Sequence, residues 1–283
     1  MATRSRSENQ VKIFLYVLAA VLSLLVFVTP LVWALLRSLQ PNAVITAAPD
    51  RATFLHLTAD NFHHISAIGN IPRATANSLI VAVGTAVLTA LLATAAGYGF
   101  GRFRFRGSGV AFGLILITLM IPFQAILTPL FLELNAMRLT DNLVGLILFY
   151  TTVNLPFGVF VMRTAFASVP HELEDAANVD GAGPVRTLTR VLRPLVVPGM
   201  ATTALYAFLA SWTEFLGALT FLTRQELYTL PVMLLNLQQG AYGSVDYGLL
   251  AAGAVIAMVP CVVLFVALQR YYVAGLSAGA VKG

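Results

Sequence analysis

The pattern of hydrophobic and polar positions divides the 283 residues into six long apolar runs with polar segments between them. Each run reaches the ~20 residues that a helix needs to cross the hydrocarbon core of a bilayer. The runs cover residues 13–36, 77–101, 109–132, 142–165, 199–222 and 246–269. Prolines inside several runs agree with this interpretation, because neighbouring helices can satisfy the freed backbone groups. The pattern predicts an all-α membrane protein with six transmembrane helices, in which Pro129 is an alternative end for the third.

The composition argues against a soluble protein. Hydrophobic residues make up 58% of the chain and charged residues only 10%, whereas soluble domains carry about 25% charged residues. Lipid must therefore cover part of the apolar surface. The first run is also longer than the ~7–15 apolar residues of a signal-peptide core, and residues 37–41 do not form a small-residue cleavage site. We expect it to be a retained span.

The distribution of lysine and arginine predicts the orientation of the chain. With the N-terminus inside, 12 of the 17 basic residues fall in cytoplasmic segments and 5 fall outside. Because cytoplasmic loops carry the excess of Lys and Arg, we expect both termini in the cytoplasm and the chain in the cytoplasmic membrane. The net charge of +5 is spread over the loops, so no basic face indicates a nucleic-acid partner.

One segment departs from the apolar pattern. Residues 171–194, "HELEDAANVDGAGPVRTLTRVLRP", hold seven of the 29 formal charges. Ser168 is a candidate N-cap for a short helix with acidic residues in its first turn, and Gly181 suits a left-handed helix end. Pro184 is expected to begin a second helix that ends at Pro194.

The first of these two helices has a face with little side-chain bulk. At three- and four-residue spacing, that face contains Leu173, Ala176, Ala177 and Asp180. Such a helix can lie deep in a groove of another protein, or it can rest as an ordinary loop helix on its own bundle. The residues by themselves leave both interpretations open.

The same segment resembles a known family. "LEDAANVDGAGPVRTLTRVLRPLVVP" is similar to the cytoplasmic signature loop of permease subunits of binding-protein-dependent ABC importers, whose pattern is E-A-A, three residues, Gly, nine residues and I-x-L-P. The positions on the pattern are Asp175, Ala176, Ala177, Gly181, Val191, Leu192 and Pro194. Asp175 stands where the family usually has Glu, and Arg193 where it usually has Leu.

Other stretches resemble the maltose-type sugar permease branch of that family. The ending "LQRYYVAGLSAGAVKG" is similar to the C-terminal tail of this branch, and "SWTEFLGALTFL" to its fifth span. The likeness covers nearly the whole chain and is weakest across 37–73. It implies a type-I ABC importer permease fold with an N-terminal part over 1–72, a transmembrane domain over 73–270 that includes the cytoplasmic loop 166–198, and a cytoplasmic tail over 271–283.

The resemblance also implies partners and contact residues. The partners would be a second, homologous permease, cytoplasmic ABC ATPase subunits, an extracytoplasmic solute-binding protein and the lipid bilayer. Contact with the ATPase would fall on Glu174, Asp175, Ala176, Ala177, Asp180, Gly181 and Pro194. A further contact through the tail would fall on Gly275, Leu276, Gly279 and Lys282.

ATP chemistry is not expected on this chain. A P-loop needs Gly-Lys followed by Ser or Thr, and the two lysines, Lys12 and Lys282, are followed by Ile and Gly. ATP and Mg²⁺ would therefore bind to partner subunits, and we expect this chain to be no enzyme and to have no catalytic residue or cofactor of its own. The His63-His64 pair has no acidic or cysteine partner at ligand spacing, so no metal site is expected.

Glu214 is the acidic residue inside a predicted span, in "SWTEF". Ionisable groups at membrane depth often act in transport, so Glu214 is a candidate pathway or gate residue and Trp212 a surface for a sugar ring. The alternative, which we favour over direct sugar binding, is a structural hydrogen bond between helices. An ion-coupled secondary transporter would often show an inverted repeat, and we find none in the sequence. It is kept as the alternative function, together with an importer of a polyol or glycerol phosphate.

Overall fold

The computed structural model describes residues 2–47, 56–67, 70–240 and 245–280, and the side chains of those that lie between 12 and 267. Helices dominate, and no strand occurs within these ranges. The α-helices are α1 (Ala2–Ser38), α2 (Asn42–Thr46), α3 (Asp60–Ala67), α4 (Ile71–Arg102), α5 (Ser108–Thr118), α6 (Phe123–Ala136), α7 (Leu143–Ala167), α8 (Glu172–Val179), α9 (Pro184–Arg186), α10 (Arg193–Thr213), α11 (Leu216–Phe221), α12 (Leu230–Gln238) and α13 (Tyr247–Ala280).

Across the described residues, five stretches of helix are long and apolar enough to cross a membrane. They are Lys12–Ser38, Ile71–Arg102, Leu143–Ala167, Pro184–Thr213 and Tyr247–Ala267. α5 and α6 form a sixth candidate, bent by 101° between them. The all-α membrane fold is therefore confirmed, with five or six candidate spans.

The predicted third span, 109–132, consists of two helices in the structure. The helix stops after Thr118 and resumes at Phe123. Pro122 has no backbone N–H, and in a continuous helix its ring would collide with the carbonyl of Thr118. Pro129 does not end the span either, because α6 continues through it to Ala136.

The predicted fifth and sixth spans also have different bounds. α10 ends at Thr213, and Glu214 is extended, with φ −74° and ψ 131°. The predicted run 199–222 is thus a long helix, a break and the short helix α11. α13 continues well past residue 269 to Ala280. The first part of the predicted tail, 271–283, is therefore a continuation of this helix. Gly275, Leu276 and Gly279 lie in this helix, and Lys282 lies outside the described residues.

The chain divides into two compact units. The first comprises residues 1–71 and 234–258. Inside it, the Asn61 side chain donates hydrogen bonds of 2.8 Å to the carbonyls of Ser38 and Gln40, which ties α3 to the end of α1. α1 exposes apolar side chains over the whole of its span, as expected for a helix that lipid surrounds.

The second unit comprises residues 72–233 and 259–283. α7 packs along α10, and Gly158 lies at a close approach, since a Cβ there would lie 2.9 Å from the side chains of Ala93 (α4) and Thr203 (α10). Small residues at helix crossings let backbones approach in this way. Two apolar clusters fill the unit, one around Phe149 and Phe221 and one around Met162 and Phe166.

Candidate functional site

α8 begins later than the sequence predicted. Ser168 caps the C-terminus of α7, and its backbone N–H donates to the carbonyls of Thr164 and Phe166. His171 is the N-cap residue of α8 and makes no side-chain cap hydrogen bond. The first turn gains its favourable charge from three acidic residues, Glu172, Glu174 and Asp175. The prediction of Ser168 as the N-cap of this helix was therefore wrong.

α8 ends at a left-handed glycine, which confirms the prediction for Gly181. Gly181 has φ +74°. The N–H of Ala182 donates to the carbonyl of Ala177 at 2.9 Å, and that of Gly181 to the carbonyl of Asn178 at 3.0 Å. These two bonds form a Schellman motif. No atom lies within 4 Å of a Cβ built at Gly181, so the backbone angle, rather than crowding, is what requires glycine here.

The two adjacent alanines of α8 point in different directions. Ala177 is buried, with 7% of its surface exposed, and packs inward. Ala176 and Asp180 are exposed. Of the four residues of the predicted small face, Leu173, Ala176 and Asp180 are exposed, whereas Ala177 rests on the bundle. The outward surface carries Asp175, Ala176 and Asp180 together with Val179, which is 88% exposed.

Helix continues through Pro194 rather than ending there. After α9, residues Thr187–Leu192 form a π-helical stretch that leads directly into α10. Pro194 lacks an N–H, and in a regular α-helix its ring would collide with the carbonyl of Arg190. The wider π-helical turn lets the chain pass this position. Pro194 is exposed and so remains available for contact with a partner.

A nearly buried arginine joins α8 to α4. Arg102 Nε lies 2.9 Å from Glu174 Oε1, and the two side chains are 2% and 16% exposed. Arg102 Nη2 also donates to the Val169 carbonyl at 2.7 Å, and Nη1 lies 3.3 Å from both ring nitrogens of His171. The sequence indicated Arg102 only as part of a basic segment. No periodicity links it to Glu174, 72 positions later.

Glu214 binds groups at a helix break. Its Oε1 accepts hydrogen bonds from the backbone N–H groups of Leu216 (2.8 Å) and Gly217 (3.1 Å), and its Oε2 accepts from Gly217 N–H (2.9 Å) and the Tyr150 hydroxyl (2.5 Å). The carboxylate thus caps α11 and ties it to α7. Trp212, 3% exposed, stacks on Phe208 and presents no open ring face in this conformation.

A second polar clamp lies in the loops beyond the spans. The Asp141 carboxylate accepts from the backbone N–H groups of Thr223 and Arg224 and from the Arg224 guanidinium. Partial burial acts to raise the pKa of Asp141, but the hydrogen bonds from Arg224 and Thr223 and the guanidinium charge outweigh it and lower the pKa to about 2. Sequence reasoning missed this clamp.

An apolar groove of about 590 Å³ lies between α7, α10 and the later part of α13. Phe157 and Tyr206 pack against each other in it with tilted rings, whose centroids are 4.1 Å apart. The hydroxyls of Thr202 and Thr213 donate to carbonyls of their own helix. The groove therefore presents mainly carbon and suits apolar side chains or acyl chains better than a hydroxyl-rich solute. Among the described residues, no three His, Cys, Asp or Glu side chains cluster as metal ligands would.

Residues 92–277 match the family described as the binding-protein-dependent transport system inner membrane component. The match covers more than half of the chain and includes Arg102, α8 and Glu214. The chain belongs to this family. The resemblance found in the signature segment is thereby confirmed, and the chain is a multi-pass component of a transport system.

Proteins of this family are similar over most of the chain. A putative ABC transporter permease protein, ORF1 of Streptomyces antibioticus, is 42% identical over 80% of this chain and 98% of its own. The trehalose transport system permease protein SugB of Mycobacterium tuberculosis is 33% identical over 90% and 92%. The arabinooligosaccharides transport system permease protein AraQ of Halalkalibacterium halodurans is 35% identical over 90% and 91%.

The fold also matches chains of solved bacterial ABC transporters. A chain of a bacterial ABC transporter that imports the acidic polysaccharide alginate superposes with a TM-score of 0.80 at 22% identity, over 94% of this chain and 98% of the other. A chain of the alginate transporter in complex with its pentasaccharide-bound periplasmic protein gives 0.67 at 16% identity, over 93% and 94%. At these identities the likeness establishes the fold alone.

Proposed function

We propose that this family member is the permease subunit of an ATP-driven importer that moves a sugar or oligosaccharide across the cytoplasmic membrane by alternating access. The observation that carries the proposal is α8, a short helix outside the spans that exposes apolar side chains. Within α8, Val179 is 88% exposed and Leu173 39% exposed, in a segment rich in charge. Exposed apolar groups with a polar rim mark a protein contact.

The proposed contact is with a separate ATPase subunit. α8 presents Asp175, Ala176, Val179 and Asp180 outward, while Ala177 and Glu174 fix its other side to the bundle. A helix that exposes a narrow apolar strip between carboxylates fits a groove lined with apolar and basic groups. Closure of the ATPase pair on ATP and Mg²⁺ would then move α8 and, with it, the spans. This division of work agrees with the lack of a P-loop lysine in this chain.

The proposed orientation places α8 and both termini in the cytoplasm. The excess of basic residues on that side of the spans supports it. A second permease would complete the pathway, and an extracytoplasmic solute-binding protein would deliver the solute. That partner accords with the family description and with the periplasmic protein bound in the alginate complex. The tail contact of Gly275, Leu276, Gly279 and Lys282 with the ATPase pair stays a proposal.

A carbohydrate is the solute that the relatives favour. The names of SugB and AraQ describe them as parts of transport systems for trehalose and arabinooligosaccharides. A polyol or glycerol phosphate is the alternative solute within the same kind of importer. An ion-coupled secondary transporter has less support, because the carboxylate of Glu214 already accepts hydrogen bonds from two backbone amides and Tyr150. Glu214 is better explained as a cap at a helix break than as an ion site.

The test is purification of the tagged chain in mild detergent, followed by native mass spectrometry and by uptake assays in vesicles. We expect an ATP-binding-cassette subunit and a second permease to remain attached. Labelled trehalose, maltose, arabinooligosaccharide, sorbitol and glycerol 3-phosphate distinguish the solute classes. A chain that purifies alone, with uptake that follows an ion gradient and ignores ATP, would contradict the proposal.

A further inference from the structure

α4 has no direct chain connection to α8. α8 follows α7 after a short link, residues 168–171, and leads through residues 180–183 into the helix that begins at Pro184. α4 ends at Arg102, and the next helix after it is α5. A displacement of α8 thus reaches α7 and α10 through the backbone. It can reach α4 only through non-covalent contacts.

Arg102 supplies such a contact at the last residue of α4. Its guanidinium touches three points on the other side: the Glu174 carboxylate at 2.9 Å, the Val169 carbonyl at 2.7 Å and the His171 ring at 3.3 Å. All three lie between the end of α7 and the first turn of α8. Only 2% of the Arg102 side chain is exposed, so water screens the ion pair little.

Apolar packing joins α4 to α7 as well. Gly97 and Gly101 face α7 so closely that added Cβ atoms would meet Met162 Cβ at 2.5 Å and Phe166 Cβ at 3.0 Å. The hydrophobic contribution to this packing has no direction of its own. The nearly buried ion pair adds a contact that resists separation, because separating its charges leaves one of them uncompensated in a low-dielectric site.

We propose that Arg102 is a positioning residue that transmits the displacement of α8 to α4 through its ion pair with Glu174. The inference rests on the proposed function, since it needs an ATPase to move α8. Glu174 faces inward and holds Arg102, while Asp175 faces outward. These adjacent acidic residues therefore have different roles: Glu174 binds the bundle and Asp175 contacts the partner.

Spin-label distances in the intact transporter test this. In a Cys261→Ala background, one label pair replaces Ile80 of α4 and Leu132 of α6, and a second pair replaces Leu195 of α10 and Leu132. All three side chains are exposed. Distances are compared without nucleotide and with Mg-ATP plus vanadate, in the parent chain, Arg102→Ala, Glu174→Gln and the double variant. Arg104→Ala is the control, since Arg104 is exposed on the same segment.

In the parent chain and in Arg104→Ala, we expect ATP to change both distances. In Arg102→Ala and Glu174→Gln, the α4 change should fall at least threefold while the α10 change stays, and the double variant should be no worse than either single one. Retained α4 movement in variants that still bind their partner subunits would overturn the inference. So would a parent transporter in which ATP moves α10 alone, whereas failure of the chain to bind an ATPase would overturn the proposed function itself.

Discussion

Gly181 gives the sharpest prediction about α8, because its left-handed backbone can be perturbed without steric contact. Its φ is +74°, and a Cβ added there meets no atom within 4 Å. Left-handed backbone costs about 1–2 kcal/mol for an ordinary L-residue, less for Asn and more for a β-branched residue. The free energy of keeping the end of α8 capped should therefore worsen in the order Gly, Asn, Ala, Val.

The expected consequence is weaker docking rather than unfolding. A cost of about 1–2 kcal/mol lowers the ratio of capped to uncapped α8 about 5- to 30-fold. The apparent affinity for the ATPase falls in proportion to the capped fraction, by at most that factor. Because this end of α8 is exposed, the spans should keep their melting temperature. The dissociation constant of the ATPase subunit is to be measured with the permease pair in nanodiscs, for Gly181→Asn, Gly181→Ala and Gly181→Val.

The Asn variant serves as the matched control for side-chain bulk. We expect Gly181→Asn to stay within about threefold of the parent chain, and Gly181→Val to bind more weakly than Gly181→Ala and to lose ATP-driven uptake. If Val inserts normally and binds the ATPase as the parent does, the reasoning from the backbone angle is refuted. If Asn weakens docking as much as Val, bulk rather than φ decides, and the reasoning is refuted as well.

Three further predictions concern the bundle. Glu214→Ala should lower the melting temperature more than Glu214→Gln, because Gln keeps a carbonyl acceptor for the α11 amides; equal losses would contradict the capping role. For Asp141→Asn, the small difference in melting temperature from the parent should be constant from pH 7 to about pH 4 and vanish towards pH 2. The reason is that the pKa of Asp141 is lowered to about 2, so the clamp is lost only as acid protonates this carboxylate. A difference that is already lost at pH 6 would contradict this. Gly158→Leu should destabilise by about 1–3 kcal/mol in a thermal melt, and an unchanged melt would contradict the close α7–α10 crossing.

Hydrophobic length predicted the spans but not their interruptions. A run of apolar residues has the same composition whether it forms one helix or two. Residues 109–132 and 199–222 were therefore each interpreted as a single span. The break at Pro122 had a local signal in the proline. The break after Thr213 did not, because it involves the Tyr150 hydroxyl and the α11 backbone amides, which donate hydrogen bonds to the Glu214 carboxylate.

The end of α8 was predictable from local backbone chemistry, whereas the face of α8 that meets the bundle was not. Gly181 was identified from the rule that helices end in left-handed glycine. Which alanine faces inward depends on how the bundle is placed, and the sequence spacing grouped Ala176 with Ala177. The tie between Arg102 and Glu174 joins distant parts of the chain, so only the packed structure brings it into view.

The measurement that tests the central claim most directly is photo-crosslinking from Val179 in the assembled transporter. This side chain is 88% exposed on α8, and a photoreactive amino acid there should crosslink to the ATPase subunit, with a yield that changes when ATP is added. The control position is Met137, which is 60% exposed and lies on the opposite side of the membrane in the proposed topology. A crosslink to the ATPase from position 179 and none from 137 is the predicted result. No ATPase crosslink from 179 in a complex that transports with ATP would contradict the account.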